Sequence, residues 1–154
     1  MVFYLAILSC IINTTVTDIR STYKEAINSS AKADKLVKMT ESSKSNAVHR
    51  AYYGTGLALQ AKHSWNPATK LSKASDASKE LNTAVSSSNS DLEVRFLRFS
   101  FEANAPSFLD LSAHTAEDKK WILSHKNTSH PMWSVMKEFL KTCTLLTEAE
   151  KKQL

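Results

Sequence analysis

Apolar residues recur along most of this chain at intervals of three and four, the spacing that collects them on one side of a helix. After Asp18, read as an N-cap, Ile19, Tyr23, Ala26 and Ile27 predict an amphipathic helix to about Asn28, and Leu36, Val37 and Thr40 predict a second inward face with lysines outside. Residues 42–46 read as a loop. Val48, Tyr52, Thr55 and Leu59 give a third helix, from about Ala47 to Lys62, with Gly54 and Gly56 in its interior. Interior glycines cost roughly 1 kcal/mol each relative to alanine, so they predict close approach of a neighbouring helix, with a gap for a ligand as the lesser alternative. The His63-Ser-Trp-Asn-Pro67 stretch breaks the pattern, with Asn66 as N-cap, Pro67 at the first helical position and Trp65 folded back as a staple. Leu71, Ala74, Ala77, Leu81, Ala84 and Val85 then form the predicted inner face of a fourth helix, whose outer face is rich in serine.

The densest apolar run after the N-terminus is Asp91-Leu-Glu-Val-Arg-Phe-Leu-Arg-Phe-Ser-Phe-Glu102. As a strand its alternation breaks at Leu97 and Arg98. As a helix, Asp91, Arg95, Arg98 and Glu102 form one polar stripe and the apolar residues cover the rest. The helical reading accounts for the whole stretch, capped by Asp91. Beyond it, Phe108, Leu109 and Leu111 are read as a plug on one end of the core, with a substrate-covering lid as the lesser alternative, and Thr115 to Asp118 as a capping-box variant opening a helix with Trp121 and Ile122 inward. Met132, Val135, Met136, Phe139, Leu140 and Cys143 make the cleanest amphipathic pattern, and Thr147 to Glu150 a further capping box. The prediction is one all-α domain over residues 18–154, of about seven helices packed as antiparallel hairpins.

Ala77, Leu81 and Ala84 take the spacing of the second helix of a tetratricopeptide repeat, and Asn89 stands where that repeat has its turn-forming proline. The likeness covers roughly residues 51–99, with an insertion at Ser64–Ala68 and no second copy. More broadly, Ala51-Tyr-Tyr-Gly-Thr-Gly-Leu-Ala-Leu-Gln-Ala-Lys-His-Ser-Trp-Asn-Pro67, Leu92-Glu-Val-Arg-Phe-Leu-Arg-Phe-Ser100 and Asn104-Ala-Pro-Ser-Phe-Leu109 resemble a family of small exported bacterial all-α proteins with no assigned activity. The resemblance spans nearly the whole chain. It implies an all-α fold and export, and it supplies no catalytic residues.

Composition narrows the function classes. Two glycines in 154 residues leave no material for a Walker-type loop, a dinucleotide fingerprint or a nucleophile elbow. The net charge of +5 comes entirely from residues 1–90, as lysines spaced along helices without an arginine cluster or an aromatic platform, which points to a solvated face and not to nucleic acid. Residues 1–12 are apolar, too few for the ~20 residues of a membrane span but suited to a signal peptide ending near residue 17. Localisation is accordingly predicted as periplasmic, envelope-associated or secreted. Ile7 to Cys10 loosely matches a lipobox, and Asn13, Asn28 and Asn127 open glycosylation triplets that matter only in a eukaryotic secretory pathway. Once a leader is removed Cys143 is alone, so no disulfide framework is expected, and its place on an apolar stripe makes it a core residue.

No histidine pair or cysteine spacing suits a metal, and no cofactor is implied. The candidate site is the seam of Arg95, Arg98 and Glu102. Arginines set among large apolar groups must find carboxylates. One reading pairs Arg98 with Glu102, Asp76 or Glu80; the other turns the guanidinium groups toward a partner's carboxylate or phosphate. Three functions follow as expectations. The first is a non-catalytic binding or scaffold protein whose partner is another protein or a peptide. The second is a small hydrolase or transferase using His114 and Glu102 with the arginines. The third is an accessory subunit stable only with its partner.

Overall fold

The computed structural model describes residues 14–154. The apolar stretch 1–12, the Cys10 lipobox and the Asn13 triplet lie outside the described residues. Within them the chain is all-helical: α1 Val16–Ala26, α2 Ser30–Thr40, α3 Ala47–His63, α4 Pro67–Ser87, α5 Leu92–Asn104, α6 Thr115–Ser124, α7 Trp133–Thr142 and α8 Glu148–Lys151, with 3₁₀ turns at Glu41–Ser43 and Ser107–Leu109. No described helix is long and apolar enough to cross a membrane.

Local chemistry sets most of the helix ends. Asn66 accepts hydrogen bonds from the amides of Ala68 and Thr69 with Pro67 in the first turn, and Asp91 accepts from Glu93 and Val94. Thr147 and Glu150 form the predicted reciprocal box. The first helix differs from expectation. Its cap is Thr15, and Asp18 is the third residue of the helix, accepting a hydrogen bond from the Thr15 amide. The α6 box is also absent. The Thr115 hydroxyl is spent on Glu102 and the Ser112 carbonyl, and Asp118 is wholly buried.

Helix α3 is the hub, in contact with α1, α2, α4 and α5. Its two glycines are where neighbours come closest. A Cβ on Gly54 would lie 3.0 Å from Leu81 Cγ and 3.2 Å from the Ala77 carbonyl oxygen of α4. One on Gly56 would lie 2.8 Å from Val37 Cγ2 of α2. The chain turns back at Ser64–Asn66, so that α4 packs along α3. Helix α5 crosses behind this pair and meets α6. Phe139 of α7 packs edge-on against Phe96 and Phe99, and Met136, Leu140 and Cys143 close the core there.

Candidate functional site

Helix α5 carries four charged side chains into the interior: Glu93, Arg95, Arg98 and Glu102 are all buried. Each needs a partner, because a charge removed from water is tolerated only when paired and hydrogen-bonded. Arg95 and Arg98 share Asp118 of α6, which is 0% exposed. Arg98 holds it in bidentate fashion, Nε to Oδ2 at 2.7 Å and Nη2 to Oδ1 at 2.9 Å. Arg95 Nη1 donates to Asp118 Oδ1 at 2.7 Å and to Glu117 at 2.8 Å, with Trp121 stacked on its guanidinium. The hydrogen bond from Arg95 holds the Glu117 carboxyl below its ordinary range.

The pairings foreseen for Arg98 are therefore not the ones formed. Glu102 accepts instead from the His114 amide and from His114 Nδ1, both at 2.8 Å, and from Thr115. Glu80 pairs with Arg50 and Lys44, and Asp76 stays in solvent. Asp118 lies on another helix, and nothing in the local pattern marks it. The seam residues come together, but their polar groups are already occupied by the fold.

A second buried node went unread in the sequence. Glu93, 1% exposed, receives two hydrogen bonds from Arg20 of α1, at 2.9 and 2.6 Å, and one from the Tyr52 hydroxyl of α3. His130 Nε2 stands 3.7 Å away. Burial, with the Glu93 charge adding to it, pushes Tyr23 up to about 12 and Tyr52 upward as well. The available signal was one further charged residue inside the apolar run of α5, one that falls off the polar stripe.

The open feature of the molecule is a groove of about 900 Å³ between α1, α3, α4, α5 and the Ser107–Leu109 turn. Small side chains leave the space: Ala58 and Ala61 on α3 and Ala74 on α4. Leu59, Phe101 and Phe139 supply apolar wall. Lys62 and Lys70 are exposed where the groove approaches the α3–α4 turn, and no Asp or Glu lines it among the described residues.

Three expectations are corrected on this feature. Leu71, read as inward-facing, is 56% exposed along the groove, and Phe108, read as a core plug, is 83% exposed there too. Trp65, read as a staple, is 98% exposed two residues before the groove-lining Pro67. Each was assigned inward because it is apolar. Two of them, Leu71 and Phe108, line the same opening.

Compared with protein-family models, curated proteins and solved structures, the chain matches none of them.

Proposed function

We propose that the protein is a non-catalytic helical binding or scaffold protein of the bacterial envelope or exterior, which receives another protein or a peptide in the α3–α4–α5 groove. The observation that carries this reading is the groove itself: a large apolar concavity whose rim keeps big apolar side chains in water. Such surface is costly to leave open and is the usual mark of an interaction site. The tetratricopeptide-like reading of α3 and α4 supports the same role by fold analogy, since hairpins of that kind bind peptides in a groove. Export is supported by the apolar residues 1–12 and by the resemblance to small exported proteins. In this reading Arg95, Arg98 and Glu102 brace the frame behind the groove.

The test is capture from native envelope extract by the wild-type protein and by a Leu71→Asp/Phe108→Asp double variant, with captured proteins identified by mass spectrometry. One stoichiometric partner, held by wild type and lost by an equally stable variant, is the expected result. Capture that is indifferent to both substitutions would sink the groove reading.

A second reading rests on one contact. His114 Nδ1 is 2.8 Å from the buried Glu102, the orientation a carboxylate gives to an imidazole acting as general base. Its Nε2 has no hydrogen-bond partner among the described residues. The hydrolase reading predicts turnover of an activated ester or phosphoester that disappears in His114→Ala. Absence of any turnover by the wild type sets it aside.

A further inference from the structure

We infer that the occupant of the groove is an amphipathic helix of a partner protein, seated on its apolar face with acidic residues at the end nearest Lys62 and Lys70. The inference rests on the groove being the binding site and adds the chemistry of what it binds.

The rim argues first. Leu71 of α4 and Phe108 of the Ser107–Leu109 turn both line the groove and both are exposed. An amphipathic helix carries a stripe of apolar side chains on a body ~10 Å across, which suits rim residues contributed by two separate elements. Of the four large apolar side chains exposed among the described residues, two, Leu71 and Phe108, line the groove.

Charge argues second. Lys62 donates to the Ile27 carbonyl, which holds its ammonium beside the groove, and Lys70 makes no ion pair with any described residue. With no acidic lining to answer them, both cations face the place where a partner would lie. A helix with glutamate or aspartate in its first turn presents carboxylates there and favours its own dipole as well.

Two fluorescein-labelled synthetic helices test this by anisotropy against the full-length protein. Both carry leucine at positions i, i+3, i+4 and i+7 over about four turns; one has glutamates in its first turn and the other lysines. The acidic peptide is expected to bind at least about tenfold tighter, by an amount that shrinks with salt. Lys62→Glu/Lys70→Glu should reverse the order, and Leu71→Asp should weaken both peptides. Equal binding of the two peptides, still weakened by Leu71→Asp, overturns the acidic-helix assignment while leaving the groove as a binding site. Failure of both peptides, with sodium oleate bound and blocked by Leu71→Asp, overturns it in favour of a lipid. If neither the peptides nor the extract partner responds to the rim substitutions, this inference and the proposed function fall together.

Discussion

The interior face of α5 and the groove it helps to line treat the same two kinds of side chain in opposite ways. Inside, Glu93, Arg95, Arg98 and Glu102 are buried, and each has found an oppositely charged or hydrogen-bonding partner on α1, α3, α6 or the segment before α6. At the groove, apolar Leu71 and Phe108 stand in solvent beside lysines without acidic lining. Buried charge that is fully satisfied is accounted for by the fold. Exposed apolar surface beside unanswered charge is not. The contrast moves the search for function from the residues that look chemical to those that look like core.

The sharpest way to break the comparison is at Asp118. Removing it by Asp118→Ala leaves two buried guanidinium groups without their shared carboxylate, and a loss of about 3–5 kcal/mol is expected in urea unfolding. A loss near zero would mean that water reaches the seam and that it is not interior at all.

Alkaline titration probes the other buried node. Tyr23 ionises at about 12 in the folded chain against 10.0 when solvated, so between those values the folded state holds the proton that the unfolded state has released. That contribution is fully present below pH 10.0 and is lost as pH rises toward about 12. The slope is about 1.4 kcal/mol per pH unit for one such group. Guanidinium melts from pH 9 upward should show it, and Tyr23→Phe should reduce the slope, leaving the share that Tyr52 contributes in the same direction.

Gly54→Ala is a smaller perturbation. Alanine gains about 1 kcal/mol of helix propensity, but its methyl meets Leu81 and the Ala77 carbonyl of α4, and backbone cannot step aside. A net loss of about 1–2 kcal/mol is expected in the same melts; a gain would show that α3 and α4 can separate freely. Least of all, Leu71→Asp and Phe108→Asp should each shift stability by no more than about 0.5 kcal/mol while abolishing partner capture. A large stability loss there would make the rim part of the core.

Much of the architecture was legible because its determinants are local. The Asn66–Pro67 start of α4, the Asp91 cap, the Thr147–Glu150 box and the helical reading of 91–102 each depend on residues within a turn or two. The glycines were legible too: close approach of a neighbour was the favoured reason for them inside a helix, and α4 and α2 do come within contact there. What failed was long-range. Arg98 and Asp118 are 20 residues apart on different helices, and Arg20 and Glu93 are 73 apart. The groove was hidden for a related reason: periodicity reports which side of a helix is apolar, and Leu71 keeps that periodicity while facing an opening that exists only once α5 and the Ser107–Leu109 turn are in place.

The Arg20–Glu93 pair also sets an order of events. A chain made from its N-terminus can form α1, α2 and α3 and bring them together while Glu93 has not yet been added. Until it has, Arg20 and the Tyr52 hydroxyl keep their water, and α1 is held by its apolar stripe and by contacts at its C-terminal end, where Lys62 donates to the Ile27 carbonyl. Helix α1, the first among the described residues, is thus fully secured only when α5 arrives.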